Sequence, residues 1–432
     1  MASSIKFPII HTFADLTQAE PTPEPSAESS PYAISPAGER SLTQFGWDPS
    51  EIVRIKRCFQ TLQEQFIDHF TKSSAPFLWH DKYKSSIYFV FSKKDIIVLL
   101  RSPIGEGSFK TVLPVIDLVA GKILTAYHFK RIFGPLKSAS DYEPYREIAV
   151  LESHRGMQNL LSLERTLSYR IPGAKGMQMS LVLSHLYNAR SLFNQMRSGV
   201  LDTRKCSAAL QMIKGLMTIH AHGAIHGDLK PANIFLEIDL KGNLQLVIGD
   251  YGSYMHLSDQ ISRRSHNTTI WYCSPDYLKA LKAMDAFTSA EAELLFLQHM
   301  KSCGNRVEAE KWARLESEYS SLKLIYEAMQ ETANDQPLDV WSLGVIFYEL
   351  FCGERPPWIV NAEDSTSGVS ILEYMDQVTF RPLPSGRVRL VDVPPTEPPE
   401  MGRLIQGMLA HSDGSRLTIH QVYEKFIDIL RA

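Results

Sequence analysis

The amino-acid sequence predicts an α+β protein of two lobes, a small β-rich N-lobe followed by a large helical C-lobe. From about Ile87 onward, short segments rich in β-branched and aromatic residues follow one another, and the first two, 87–91 and 96–100, flank a Lys-Lys-Asp turn. After about Ser191, apolar residues recur instead at the spacing of helices. Strands in the first part and helices in the second are typical of folds that segregate the two kinds of element.

Length, charge and cysteine content narrow the class of protein. The 432 residues exceed one average domain, and a hydrophobic content of 44% is enough for a packed core. A net charge of −3 argues against a generally basic surface, so we expect no nucleic-acid partner. We also expect no membrane span and no secretory signal, since no apolar run is suited to either. The five scattered cysteines predict free thiols in a reducing, cytoplasmic compartment, with a secreted bacterial effector acting in a host cytoplasm as the alternative.

The chain divides into regions of different composition. Residues 1–48 are rich in Pro, Ser and Glu and are predicted to be a disordered tail. Residues 49–86 are predicted to be a helical extension, because apolar side chains recur at helical spacing. Residues 87–432 are predicted to form the main domain, with its N-lobe at 87–183 and its C-lobe at 187–432. Within it, about 278–334 is a charged insert of two predicted helices, which is either a solvated embellishment or a docking element for a partner.

The side chains that carry chemistry lie in one loop and just after it. Asp228, Lys230 and Asn233 share the loop, and Asp250 follows the apolar run Leu244–Ile248. A carboxylate can orient a hydroxyl, and a cation can neutralise the charge of a phosphate. Amide and carboxylate oxygens are ligands that suit Mg²⁺. This set of residues therefore predicts transfer of a phosphoryl group.

The pattern HxDxKxxN followed by DxG resembles the catalytic loop and metal motif of the eukaryotic-type serine/threonine protein kinase family. The resemblance implies a bilobal protein-kinase-like fold, ATP and Mg²⁺ as cofactors and a protein substrate. It implies that Asp228 orients the acceptor hydroxyl, that Lys230 faces the transferred phosphate, and that Asn233 and Asp250 hold Mg²⁺. Lys230 together with Thr269 favours serine/threonine over tyrosine specificity.

Positions in the first lobe resemble the ATP site of the same family. A glycine-rich loop between two strands is implied to lie over the phosphates, because glycine lets the backbone approach phosphate oxygens closely. Lys130 ends the next strand, and its implied partner is Glu147, with Glu143 and Glu152 as alternatives. The segment that enters the hinge between the lobes is implied to contact adenine. The implied ATP-binding residues are Gly105, Glu106, Gly107, Ser108, Val112, Lys130, Glu147, Leu183, Ser184 and Leu186.

Four more residues match positions that support the site in the family. Thr269 lies near the end of the activation segment and is implied to hydrogen-bond near the catalytic Asp and Lys. Asp276 is implied to pair with Arg416, and because Asp is shorter than the usual Glu, we expect a longer or shifted pair. Asp339 begins the segment Asp-Val-Trp-Ser-Leu-Gly and is implied to accept hydrogen bonds from the backbone of the catalytic loop.

The chain also departs from the family pattern. Lys110 replaces a third loop glycine, His128 replaces a small residue of the adenine pocket, and Tyr251 replaces a Phe while keeping an aromatic ring. Gly227 replaces the arginine that pairs with a phosphorylated activation segment in many kinases, which predicts activity independent of such phosphorylation. We expect an ATP-dependent protein serine/threonine kinase that transfers the γ-phosphoryl group to a protein hydroxyl. The alternatives are a pseudokinase that serves as a nucleotide-binding scaffold, which Lys110, His128, Gly227 and Asp276 support, and a kinase of small molecules.

Overall fold

The computed structural model divides the chain into two compact units, each described here by itself. The first comprises Met1–Gly156 and Leu161–Leu186, and the second comprises Met157–Leu160 and Tyr187–Ala432. Strands dominate the first unit and helices the second, which confirms the predicted α+β class. The structure describes residues 35–44, 49–50, 52–53, 55–57, 60, 77–80, 88–91, 96–99, 105–106, 110–129, 143–170, 178–185, 187, 191–196, 198, 201–239, 241–258, 268–302, 309–333, 335–360, 368–375 and 391–432.

The first unit is built on an 8-stranded sheet with the strand order β3-β2-β1-β7-β8-β6-β5-β4. Strand β3 also pairs with β5, so the strands from β3 round to β5 form a closed ring. The pairing of β1 with β7 is parallel, and the other pairs are antiparallel. Closure leaves the ring strands without a free edge. The strands are β1 (Phe77–His80), β2 (Tyr88–Phe91), β3 (Ile96–Leu99), β4 (Gly105–Glu106), β5 (Lys110–Asp117), β6 (Lys122–Phe129), β7 (Leu163–Arg170) and β8 (Gln178–His185).

Two helices of the first unit pack with this sheet. Helix α1 (Pro36–Gln44) contacts β5 and β6, and helix α2 (Glu143–Ser153) contacts β7. The sheet interior is apolar: Val115, Ile116 and Ala126 are each fully buried. The apolar composition of β5 and β6 therefore has a direct structural consequence, since burial of such side chains drives folding.

Two parts of the N-terminal prediction are wrong. Helix α1 lies inside residues 1–48, which were expected to be disordered, and strand β1 lies inside residues 49–86, which were expected to be helical. Both elements depend on contacts with distant strands, which composition does not report. The described residues between 49 and 60 are helical, as predicted. The N-lobe prediction also began too late, because α1 and β1 belong to the first unit.

The second unit is organised around one buried helix, α7 (Gln336–Cys352). Every residue from Leu338 to Leu350 is buried, as expected for a helix that is apolar on all sides. The Asp335 side chain caps its N-terminus by accepting from Gln336 N at 2.6 Å. The other helices are α3 (Leu192–Met196), α4 (Lys205–Ala221), α5 (Pro275–Ser302), α6 (Ala309–Ala333), α8 (Pro357–Val360), α9 (Gly368–Tyr374), α10 (Pro399–Met408) and α11 (Ile419–Arg431).

Two small antiparallel sheets frame the catalytic loop. Strands β10 (Ile234–Ile238) and β11 (Leu244–Ile248) form one of them. Strands β9 (Ala224–Ile225) and β12 (Met255–His256) form the other. The second pair holds the chain after Asp250 against the chain before Asp228, so two distant parts of the sequence meet at one place.

The predicted insert contains the greater part of helix α5 and all of helix α6. These two helices pack on each other through a small apolar cluster of their own, and Lys301 lies over the Trp312 ring at 5.5 Å. The members of the cluster are Ala290, Leu297 and Leu315, with Leu294, Trp312, Tyr319 and Leu322 packed against them. Among the residues that the structure describes, no helix combines the length and apolar character needed to cross a membrane.

Candidate active site

One buried carboxylate accepts hydrogen bonds from the backbone of the catalytic loop. Asp339, on α7, accepts hydrogen bonds from His226 N at 2.8 Å and Gly227 N at 3.0 Å, and lies 3.0 Å from His220 Nε2. Burial alone would raise the pKa of Asp339, but the hydrogen bond and charge of His220 and the hydrogen bond from His226 N outweigh it and leave the pKa lowered. An ionised acceptor on a rigid helix therefore fixes the backbone just before Asp228, as the resemblance implied.

Gly227 occupies a position that only glycine fits. Its φ of 79° lies in the left-handed region, and a Cβ there would lie 2.6 Å from Ser253 O and 3.2 Å from Ser253 Cβ. The replacement of the family arginine by Gly227 therefore has a steric reason in addition to the loss of a charge. The close approach of the two backbone segments leaves no room for a side chain at position 227 unless Ser253 moves.

Asp228 is the centre of a hydrogen-bond network. Its Oδ2 accepts from Lys230 Nζ at 2.6 Å and from Asn233 Nδ2 at 3.2 Å, and its Oδ1 accepts from Thr269 N at 2.8 Å. Lys230 Nζ also donates to Thr269 Oγ1 at 2.7 Å. The structure thus brings together four residues that the sequence places as far as 41 positions apart. Charge-assisted bonds of this length are the stronger kind, so the carboxylate is held in one orientation.

The two predicted metal ligands are neighbours in the fold. Gly249 N donates to Asn233 O at 2.9 Å, which brings the residue before Asp250 to the end of the catalytic loop. Asp250 has a φ of 65°, and the ring of Tyr251 after it is fixed by its hydroxyl, which donates to Ile248 O at 2.7 Å. The retained aromatic side chain is therefore packed and also bonded.

The oxygen atoms that Asn233 and Asp250 offer as ligands are suited to Mg²⁺. Asn233 Nδ2 donates to Asp228 O at 2.8 Å, so the amide nitrogen is engaged with the loop and the amide oxygen is the atom left to serve a cation. An amide oxygen from Asn233 and a carboxylate from Asp250 are hard oxygen ligands of the kind that Mg²⁺ prefers.

The end of the activation segment is anchored on α7. Ser342 Oγ donates to Tyr272 O at 2.8 Å, and Tyr272 OH donates to Glu349 Oε1 at 3.2 Å. Burial raises the pKa of Glu349 to about 7, against the hydrogen bond from Tyr272 and the charge of Arg355, which lower it. Sequence reasoning missed Glu349, although an acidic residue within the otherwise apolar stretch Leu343–Leu350 was a signal that could have found it.

The predicted pair of Asp276 and Arg416 is present but long. Arg416 Nη2 lies 3.4 Å from Asp276 Oδ2, whereas Nη1 donates to Pro337 O at 2.9 Å and Nη2 donates to Ala410 O at 3.0 Å. The guanidinium also lies 5.2 Å from the centre of the Trp341 ring. The shorter Asp side chain therefore leaves the arginine held mainly by carbonyl groups and an aromatic face.

The first unit places some of the implied ATP-binding residues. Gly105 and Glu106 form β4, with Gly105 opposite Val112 on β5. Glu147 lies on α2 and is 4% exposed, and Leu183 and Ser184 are fully buried on β8. The implied ion pair of Lys130 with Glu147 stays a prediction. Residues of the implied ATP site that lie outside the described ranges are Gly107, Ser108, Lys130 and Leu186.

Comparison with known proteins agrees with this geometry. The chain is 29% identical over 168 residues to the putative mitogen-activated protein kinase 14C of Drosophila melanogaster, covering 38% of this chain and 45% of that protein. It is 26% identical over 175 residues to the human MAPK/MAK/MRK overlapping kinase, covering 40% and 39%. It is 22% identical over 298 residues to the cyclin-dependent kinase 4 homolog of Caenorhabditis elegans, covering 68% and 58%. The chain thus spans less than half the length of the first two relatives.

A model of the protein kinase domain matches residues 99–290 and 309–427, which is well over half of the chain. The gap in the match, residues 291–308, takes in the C-terminal part of helix α5 and ends just before α6, inside the predicted insert. The chain therefore belongs to the protein kinase domain family.

Proposed function

We propose that this chain is an ATP- and Mg²⁺-dependent protein serine/threonine kinase that transfers the γ-phosphoryl group to a hydroxyl of a protein. The observation that carries the proposal is the network in which Asp228 is bonded to Lys230, Asn233 and Thr269 at once. Family membership supports the same activity.

The geometry of the network supports a separate role for each residue in phosphoryl transfer. Asp228, held on both of its oxygens, orients the acceptor hydroxyl and takes its proton late in the transfer. Lys230 Nζ lies between Asp228 and Thr269 and offers a positive charge to the transferred phosphate. Asn233 and Asp250 would hold Mg²⁺, which neutralises phosphate charge when it is bound. Because these groups are fixed before a substrate arrives, little reorganisation is left for the reaction itself.

The same proposal includes activity without phosphorylation of the activation segment. A regulatory phosphate needs a cation beside the catalytic Asp, and Gly227 supplies none. The bonds from Thr269 to Asp228 and Lys230, together with the pairing of β9 with β12, hold the two ends of the segment without it. We also propose a cytoplasmic location, which the free thiols of Cys206, Cys273 and Cys352 support.

The test is phosphate incorporation by the full chain and by Asp228→Asn. The amide removes one charge and turns an NH₂ group toward Lys230 or Thr269, so we expect kcat to fall by about 10²- to 10⁴-fold. Asp202→Asn is the matched control, because that side chain is 73% exposed and its pairing with Lys205, at 3.7 Å, is long.

Two measurements separate the outcomes. Radiolabelled ATP with a generic protein substrate reports transfer, and a nucleotide titration with and without Mg²⁺ reports binding. Transfer that depends on Asp228 supports the proposal. Equal transfer by the wild type and Asp228→Asn would refute the proposal. Mg²⁺-dependent nucleotide binding without any transfer would support a pseudokinase that serves as a nucleotide-binding scaffold.

A further inference from the structure

Helix α1 is bonded to the turn that joins β5 to β6. Ser35 lies just before the helix, and its backbone N–H and its hydroxyl both donate to one oxygen. Ser35 N lies 3.2 Å from Leu118 O, and Ser35 Oγ lies 3.1 Å from it. Six residues later, Ser41 Oγ donates to Gly121 O at 2.6 Å. The two carbonyl groups at the ends of the turn therefore both take their partners from the segment 35–41.

The contact is close as well as polar. Gly38 is buried directly over the turn, and a Cβ added there would lie 2.2 Å from Leu118 O. Leu118 itself is fully buried. Such an approach is possible only for glycine, so the docked position of α1 is specified by sterics in addition to hydrogen bonds.

The Ser35 hydroxyl makes two hydrogen bonds at this contact, one as acceptor and one as donor. As an acceptor it receives Gly38 N at 2.9 Å and so caps the first turn of α1. As a donor it reaches Leu118 O, and this second bond needs the hydroxyl proton. Ser35 is half-buried and is followed directly by Pro36, the dipeptide that proline-directed serine/threonine kinases accept.

We propose that Ser35 is a phosphorylation site and that its phosphorylation detaches α1 from the β5–β6 turn. In the transfer, Ser35 Oγ forms a bond to the γ-phosphorus of ATP as the bond from that phosphorus to the β,γ-bridging oxygen breaks. ADP leaves with the electron pair of the broken bond, and the hydroxyl proton passes to the catalytic carboxylate of the kinase. The kinase is one that reads proline after its acceptor, and the inference does not rest on the activity proposed for this chain.

The chemistry of the ester explains the detachment. A phosphoserine Oγ carries no proton, so it cannot donate to Leu118 O. The added negative charge would instead face that carbonyl oxygen and repel it. The ester can still accept from Gly38 N at the start of the helix, where negative charge is favourable. Phosphorylation therefore spares the cap, removes the bond from Ser35 Oγ to Leu118 O, and sets negative charge against the oxygen that Ser35 N also reaches.

Detachment has a measurable consequence because α1 is short. A helix of 9 residues is too short to persist alone in water, so α1 loses order when it leaves the turn. A kinase reaches Ser35 only in the detached state, and the ester then favours that state. The modification thus shifts an equilibrium that already exists.

The experiment uses the full chain and hydrogen exchange over residues 35–44. One arm is Asp228→Asn treated with a purified proline-directed serine/threonine kinase, ATP and Mg²⁺, and a second arm is the wild type with ATP and Mg²⁺ alone. Mass spectrometry locates the phosphate. Gly38→Ala defines the detached signature without any phosphate, because the added Cβ blocks docking while alanine favours the helix. Ser35→Ala, carried through the same treatment, shows which changes need the acceptor.

The expected result is phosphate on Ser35 in at least one arm, with exchange over 35–44 faster by ~10-fold or more and equal to that of Gly38→Ala. Treatment should leave the exchange of Ser35→Ala unchanged. The inference is overturned if Ser35 stays unmodified in both arms, including the case in which only the serines of other Ser-Pro pairs, at 30, 102 or 274, are labelled. It is equally overturned if phosphorylated Ser35 leaves exchange over 35–44 as slow as in the untreated chain.

Discussion

Substituting Gly227 by alanine tests how closely the activation segment approaches the catalytic loop. The structure gives Gly227 a φ of 79° and leaves only 2.6 Å between an added Cβ and Ser253 O. Gly223, four residues earlier, has a φ of 64°, and nothing lies within 4 Å of its added Cβ. The two glycines share a backbone conformation and differ in crowding, so Gly223→Ala is the matched control.

The magnitude can be worked out from two contributions. A non-glycine residue in the left-handed region costs about 1–2 kcal/mol, and both variants carry this cost. Overpacking against a backbone oxygen costs about 1–3 kcal/mol more, and only Gly227→Ala carries it. We therefore expect the free energy of unfolding to fall by about 1 kcal/mol for Gly223→Ala and by about 3 kcal/mol for Gly227→Ala.

Thermal melts followed by circular dichroism measure the difference. For a unit of this size, each kcal/mol changes Tm by about 2–4 °C, so Gly227→Ala should melt about 4–8 °C below Gly223→Ala. Kinase activity should fall with it, because Ser253 has to move and lies three residues from Asp250. Equal melting temperatures for the two variants would refute the close approach, and with it the steric reason for a glycine beside the catalytic Asp.

Three further changes follow from contacts near the site. Thr269→Val removes the hydroxyl that Lys230 Nζ reaches at 2.7 Å, so steady-state kinetics should show kcat about tenfold lower, whereas Thr269→Ser should keep it. Burial raises the pKa of Glu349 from 4.5 to about 7, so the folded state holds a proton that the unfolded state has lost across this window. The contribution of Glu349 to stability is therefore fully present below pH 4.5 and is lost, by about 3 kcal/mol, as pH rises through 7. In denaturant melts at several pH values, the wild type should lose this contribution relative to Glu349→Gln. Arg416→Ala should cost about 3 kcal/mol in the same melts, against almost nothing for Arg403→Ala, whose side chain is 72% exposed.

The catalytic loop could be predicted because its chemistry is local. Asp228, Lys230 and Asn233 lie within six consecutive residues, and their spacing alone points to phosphoryl transfer. The support from Asp339 is 112 residues away from Gly227 and was predicted only through the resemblance to a family. No pattern in either segment shows that a carboxylate on one will meet the backbone of the other.

The N-terminal region shows the opposite case. Helix α1 is a short, polar segment, and the average composition of residues 1–48 around it is typical of a disordered tail. What holds it is Leu118 O and Gly121 O, two acceptors some 80 residues further on. The closure of the sheet through β1 and β2 escaped prediction for the same reason, since strand pairing depends on partners that a short apolar run does not name.

Gly227 and Ser35 together indicate where control of this protein can lie. In kinases with an arginine before the catalytic Asp, a phosphate on the activation segment pairs with that arginine, whereas the close fit of Gly227 against Ser253 strongly disfavours a side chain at position 227. Asp339 and Thr269 already hold the loop and the described end of the segment. A phosphate on Ser35 acts in the opposite sense, because it removes a bond that the unmodified chain makes. Regulation by loss of an existing contact requires no matching arginine, so the control proposed for Ser35 is compatible with a glycine at position 227.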